Sequence, residues 1–201
     1  MKDKNIKEWY NITLKQFIDI QDIFMDAELD EQDKMTYLIN AIFGVDIMNL
    51  QFTELADYVK RISFVNSQIP KAKCTDTYKI NGKDYVMTKN VCKFTTAQYI
   101  DYMGYIKNGG ADFDNYPNIL SLVLIPSSAT AYNDGSYDIE EVKSDILNHL
   151  SIVDCLAISN FFLAFSKAYQ CRFLASSLKA TKNKETRKKI RKLRKMILVG
   201  D

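Results

Sequence analysis

The chain predicts a mainly α fold of the α+β class: a multi-helix body, one β-hairpin inserted around residues 77–88, and a long C-terminal helix. Three observations predict it. Apolar residues recur at three- and four-residue spacing along most of the sequence. One stretch alternates as a strand pair does, around Asn81-Gly82. Seven Gly and three Pro in 201 residues are few for a sandwich of many short strands.

The elements follow in order. Trp9 and Tyr10 precede Thr13-x-x-Gln16, whose spacing is that of a capping box, and are placed to staple onto the helix it opens. That helix runs from about Leu14 to Met25, with Leu14, Phe17, Ile20 and Phe24 on one side and Lys15, Asp19, Asp22 and Asp26 on the other. A second helix runs from about Glu31 to Phe43, on Met35, Tyr37, Leu38 and Ile42, and stops at Gly44. A third begins near Phe52, with Thr53 as its expected cap, and heads towards Phe64 on Leu55, Tyr58, Val59 and Ile62. Ile69-Pro70 ends the helical pattern.

Residues Tyr78-Lys-Ile-Asn-Gly-Lys-Asp-Tyr-Val then read as a hairpin, because Asn-Gly supplies the positive φ angles of a type I′ turn. A two-stranded ribbon leaves both edges open. Tyr78, Ile80 and Tyr85 are therefore the candidate hairpin-edge contacts for another chain.

Thr95-x-x-Gln98 opens a helix over about Thr96 to Lys107, ending at Asn108-Gly109-Gly110. The apolar segment Tyr116 to Pro126 reads as a short buried helix, with strand as the second choice, since Pro117 suits a first helical turn. Residues Pro126 to Asp138 form a polar loop, and a short helix follows to about Leu147. Ser151-x-x-Asp154 is a third capping box. It opens the longest helix, about Ile152 to Leu178, whose apolar residues occupy more than one narrow face and so suit a central core element or an oligomer interface. Ile12 and Phe94 begin similar stretches, Ile-Thr-Leu-Lys-Gln-Phe-Ile-Asp and Phe-Thr-Thr-Ala-Gln-Tyr-Ile-Asp. The hairpin precedes only the second, which argues against an internal duplication.

Composition excludes several classes. The 47% hydrophobic and 26% charged fractions are those of a globular chain. The longest apolar-rich run, Cys155 to Phe165, is too short to span a bilayer, and no membrane contact is expected. The N-terminus has no apolar signal region, which predicts synthesis and use in a cytoplasm. Cys74, Cys92, Cys155 and Cys171 lack metal-ligand spacing and read as free thiols. With His149 as the single histidine, no metal or other cofactor is expected. His149 suits a helix C-terminus, and a Cys155–His149 pair has no local signature of a nucleophile. Asp19, Asp22 and Asp26 read as a solvated face. Phosphate-loop, dinucleotide, serine-hydrolase and zinc-protease motifs are absent, so an enzyme is not expected.

Charge divides the chain. Residues 179–201 hold ten Lys/Arg against Glu185 and Asp201, a net of +8, leaving seventeen basic and twenty-three acidic side chains, a net of −6, on residues 1–178. The expected organisation is therefore an acidic helical body, 1–178, and a basic helical arm, 179–201. The arm's docking candidates are Lys182, Lys184, Arg187, Lys188, Lys189, Arg191, Lys192, Arg194 and Lys195, which suit either an acidic protein surface or nucleic-acid phosphates. Ile190, Leu193, Ile197 and Leu198 recur among them at helical spacing.

The patterns Trp9-Tyr-x-Ile-Thr-Leu-x-Gln-Phe17, Tyr78-x-Ile-x-Gly-x-x-Tyr85, Phe94-Thr-x-x-Gln-Tyr-Ile-Asp101 and Ser151-Ile-x-Asp-x-Leu-Ala-Ile-x-x-Phe-Phe162 stand at four places along the chain. They resemble small virion or tail-assembly proteins of double-stranded DNA phages of Bacteroidetes hosts, including crAss-like podoviruses. The resemblance implies a structural or assembly role and carries over no functional residue. It makes the expected protein a multi-copy virion component of the portal, connector or tail region. Such a component is made in the host cytoplasm, assembles as a ring-forming homo-oligomer and contacts other phage structural proteins. The alternatives are a tail-assembly chaperone left out of the virion and a small DNA-binding protein, with packaged DNA as a possible contact of the arm.

Overall fold

A computed structural model describes residues 8–88, 94–109, 112–161, 178 and 183–199. In order, the elements are α1 (Leu14–Met25), α2 (Glu31–Phe43), α3 (Phe52–Arg61), β1 (Thr77–Ile80), β2 (Lys83–Met87), α4 (Thr96–Gly109), α5 (Tyr116–Ser121), β3 (Leu124–Pro126), α6 (Ile139–His149), α7 (152–161) and α8 (Lys184–Val199). Short 3₁₀ turns at Trp9–Asn11, Ile47–Asn49, Ser63–Asn66 and Phe113–Asn115 link them. The fold is mainly helical with a small antiparallel sheet, as the sequence predicts. The expectation of one long helix over 152–178 falls largely on 162–177, outside the described residues. Among those described, no helix is long and apolar enough to cross a membrane.

The Thr-x-x-Gln motifs form complete capping boxes and also do something spacing alone does not reveal. Thr13 Oγ1 accepts from Gln16 N–H at 3.3 Å, and Gln16 Oε1 accepts from Thr13 N–H at 3.1 Å. The other end of the same amide, Nε2, donates to Ile42 O at 2.9 Å, in the last turn of α2. Gln98 repeats the arrangement: Oε1 accepts from Thr95 N–H at 2.9 Å, while Nε2 donates to Leu122 O at 2.8 Å, just past α5. Each Gln satisfies orphan groups at the start of one helix and the end of another. A Glu at these positions would close the box but lose the donor.

Ser151 Oγ caps Asp154 N–H at 3.1 Å. The caps of α1 and α7 sit side by side, with Leu14 N–H donating to Leu150 O at 3.1 Å and Ile152 N–H to Ile12 O at 2.8 Å. Ile12, Leu14, Ile152 and Val153 around this bridge are wholly buried. Trp9 packs edge-on against Phe17, with ring centroids 6.0 Å apart, and against Phe64 at 5.3 Å. Its Nε1 donates to Ser67 O at 3.2 Å. The expected staple thus belongs to Trp9, while Tyr10 is half exposed.

Two expectations are corrected. Thr53 does not cap α3; Gln51 holds the cap position, and its N–H donates to the Glu54 carboxylate at 3.0 Å. Glu54 at the third helical position makes the reciprocal half of a box, which moves the cap two residues earlier while the helix starts at Phe52, as expected. The hairpin also does not leave both edges open. The segment read as a buried helix, or else a strand, is both in succession: α5 ends, and Leu124–Pro126 pairs antiparallel with β2 in the order β1-β2-β3. Pro126 suits this edge position, where its missing N–H is not required.

The turn is as the dipeptide predicts, with Asn81 at φ 50° and Gly82 at φ 76°. The register Ile80↔Lys83 and Tyr78↔Tyr85 turns Tyr78, Ile80, Tyr85 and Met87 into the core.

Candidate functional site

The chemically richest cluster centres on Asp145. Val142, Asp145 and Ile146 form the buried face of α6, so an acid occupies a core position. Its Oδ2 accepts from Tyr85 Oη at 2.7 Å and Lys83 Nζ at 2.8 Å, and its Oδ1 accepts from Asn81 Nδ2 at 2.8 Å. Lys83 also pairs with Glu141 at 2.8 Å. Burial works against ionisation of Asp145, but the bonds from Lys83, Tyr85 and Asn81 outweigh it and hold its carboxyl below the ordinary value. Burial first, and the bond to Asp145 second, push the Tyr85 phenol well above its ordinary value.

With three donors on its oxygens, this carboxylate is committed to holding α6 against the hairpin turn. The arrangement is a pin between elements sixty residues apart in sequence. A signal for it was present: Asp145 falls three residues after Val142, on the apolar stripe of its helix.

The Cys155–His149 pair does not become a catalytic unit. Cys155 is wholly buried, and burial pushes its thiol far above the ordinary range, while His149 is exposed at the end of α6. Cys74 is partly exposed, and Cys92 and Cys171 lie outside the described residues. An open cleft of about 440 Å³ is lined by Tyr105, Asn108, Asp112, Asp114, Asn115 and Asn118. Its amides are turned partly on the protein itself: Asn115 Nδ2 donates to Tyr105 O and Asn118 Nδ2 to Asn115 Oδ1. Among the described residues no group of three His, Cys, Asp or Glu side chains is arranged to hold a metal.

The hairpin-edge candidates are placed inward. Tyr78, Ile80 and Tyr85 are buried, so the side chains that the ribbon offers to a neighbour are Thr77, Lys79, Asp84 and Val86 instead. Pairing at Tyr78 and Ile80 directs the backbone groups of Thr77 and Lys79 outward. Thr75 Oγ1 donates to Thr77 O at 2.8 Å, occupying part of that open edge.

In the arm, Asn183 Oδ1 caps α8 by accepting from Glu185 N–H at 2.9 Å and Thr186 N–H at 3.1 Å. Arg187, Lys188, Lys189, Arg191 and Lys192 are all exposed. Lys184, Arg194 and Lys195 fall on the helix, with side chains outside the described set; Lys182 lies outside the described residues altogether. Large apolar side chains are also uncovered on the body, above all Met25, Met48 and Phe52, each more than four-fifths exposed. Sequence reasoning had placed none of them at a surface contact.

Compared with models of known protein families, with curated proteins and with solved structures, the chain matches none.

Proposed function

We propose that this chain is a multi-copy structural protein of a double-stranded DNA phage particle, in the portal, connector or tail region, acting through protein–protein contacts. The phage assignment rests on the four residue patterns that resemble small virion and tail-assembly proteins. The contact role rests chiefly on how the polar and apolar groups are spent. Asp145, Gln16 and Gln98 are engaged in joining elements, whereas Met25, Met48 and Phe52 and the cations of α8 face outward. A body with uncovered apolar side chains and segregated charge is suited to be held by neighbours.

Mass spectrometry of purified particles of the encoding phage tests the reading. Stoichiometric presence supports it. Presence in infected lysate alone replaces it with the chaperone reading.

The exposed cations of α8 favour one second reading, sequence-independent DNA binding. Five phosphate contacts would weaken affinity about 10²–10³-fold between 50 and 200 mM salt. Deleting residues 179–201 should abolish that binding; undiminished binding by the truncated chain rules the arm out.

A further inference from the structure

The basic helix has a counterpart of matching charge on the same chain. Residues 19–33, at the loop end of the α1–α2 hairpin, hold Asp19, Asp22, Asp26, Glu28, Asp30, Glu31 and Asp33 and no Lys or Arg, a net of −7. Helix α8 holds eight Lys/Arg against Glu185, a net of +7. Three of the acids have local tasks: Asp19 pairs with Lys15 at 2.6 Å, Asp26 accepts from Glu28 N–H at 2.8 Å, and Asp30 caps α2. Asp22, Asp26, Glu28, Glu31 and Asp33 stand exposed.

This is more than a solvated acidic face, because large apolar side chains are exposed among the acids: Phe24 at 41%, Met25 at 82%, Met35 at 40% and Tyr37 at 50%. Helical spacing puts Ile190, Leu193 and Ile197 on one stripe of α8, with Arg187, Lys188, Arg191 and Lys192 around the rest of the circumference. An apolar stripe bordered by cations fits a surface of apolar side chains bordered by carboxylates, as an amphipathic helix fits a groove. The stripe Tyr99, Ile100 and Met103 on α4 is also exposed, but the acid beside it, Asp101, already accepts from Tyr132 Oη at 2.9 Å.

We propose that α8 of one copy docks on the loop end of the α1–α2 hairpin of a second copy. The inference rests on the multi-copy reading and names the contact that joins the copies. Asp22, Asp26 and Glu28 on the hairpin and Arg187, Lys188, Lys189, Arg191 and Lys192 on the arm all face solvent on a single chain. Charge gives the approach its steering and register, and the apolar side chains give the contact its hold. Because the two surfaces differ, the contact is head-to-tail. It repeats from copy to copy, closing a ring if the rotation permits and running on as a filament if it does not.

The test is sedimentation velocity of the full chain at rising concentration in low and high salt. It uses an acceptor variant (D22K/D26K/E28K), an arm variant (R187E/K188E/R191E) and the combined charge swap. Circular dichroism confirms that each is folded; the acceptor set spares Asp19 and Asp30 and gives up only the exposed bond from Glu28 N–H to Asp26. The wild-type chain should assemble in low salt and weaken by about tenfold or more in high salt. Each variant alone should be monomeric at concentrations where the wild type is assembled.

An equimolar mixture of the two variants should assemble where neither does alone, since the intact arm of one then meets the intact acceptor of the other. The charge swap should restore assembly. Assembly untouched by the acceptor substitutions overturns the contact and leaves the multi-copy reading standing. Assembly that disappears on nuclease treatment overturns it in favour of nucleic acid as the arm's partner. A wild-type chain that stays monomeric to about 100 μM in low salt overturns the contact and removes self-assembly from the functional reading.

Discussion

Replacing Asp145 with Ala should destabilise the fold by about 2–4 kcal/mol. The magnitude follows from what each partner loses. Tyr85 is 1% exposed, so its hydroxyl would be left buried and unpaired, at about 1–3 kcal/mol. The Lys83 side chain is 41% exposed and regains water, which keeps the total below that of a wholly buried ion pair. Asn81 would lose the bond that anchors the turn. Urea unfolding followed by Trp9 fluorescence is a suitable assay, because Trp9 is the single tryptophan and is buried. The same measurement on Tyr85→Phe and on the double variant completes a cycle. Tyr85→Phe should cost about 1 kcal/mol in the native background but recover about 1–3 kcal/mol once Asp145 is Ala, because it then removes the unpaired hydroxyl. A change below about 0.5 kcal/mol for Asp145→Ala, or strict additivity of the pair, would refute the pin. The sign of the pH dependence follows from a carboxyl held below its unfolded value. The contribution is fully present above the unfolded value near 3.9, about pH 5 and higher, and is lost as pH falls through the lower folded value. Asp145→Ala should remove that part of the acid sensitivity.

Gln16→Glu should destabilise the protein by about 1–2 kcal/mol, although Glu suits the third position of a capping box. It loses the donor to Ile42 O and sets a carboxylate against the end of α2; thermal melts of Gln16→Glu and Gln98→Glu check both sites. Gly82→Ala should cost about 1 kcal/mol through backbone strain alone, because the φ of 76° is unfavourable to Ala while nothing lies within 4 Å of the added carbon; unchanged stability in urea would contradict the turn geometry. Cys155 should resist alkylation in the folded protein at pH 8 and react once urea is added, read by peptide mapping; labelling without denaturant would contradict its burial.

What could be read from sequence was what neighbouring residues decide among themselves. Thr13 with Gln16, Thr95 with Gln98, Gly44 after α2 and Asn81-Gly82 each close a hydrogen bond or fix a φ within a few residues, and the expected boundaries fall where the structure has them. Pairings across the chain were not legible in that way. Nothing near Leu124 announces that three residues will cover the free side of β2. The Nε2 half of Gln16 acts on a carbonyl twenty-six residues away. The hairpin edge was misread for the same reason: alternation shows that Tyr78, Ile80 and Tyr85 share a face but not that the core lies on it. Asp145 stood at a buried helical position, a departure from pattern that pointed to partners elsewhere without naming them. The exposure of Met25, Met48 and Phe52 follows from what the body leaves uncovered, and periodicity alone does not supply it.

The bridge between the caps of α1 and α7 has a consequence during synthesis. Thr13 leaves the ribosome 138 residues before Ser151, an interval of roughly seven to twenty-eight seconds at about 5–20 residues per second. Throughout that interval the first two helices can form as a hairpin, yet Ile12 and Leu14 lack the strand-like partner that finally covers them. The two caps therefore meet only after Ser151 has emerged, in a contact of high sequence separation and correspondingly large loop-closure cost. A stall or truncation before Ser151 would release a nascent chain with its apolar seam open, and neighbouring nascent copies on the same message would be the nearest surfaces able to cover it.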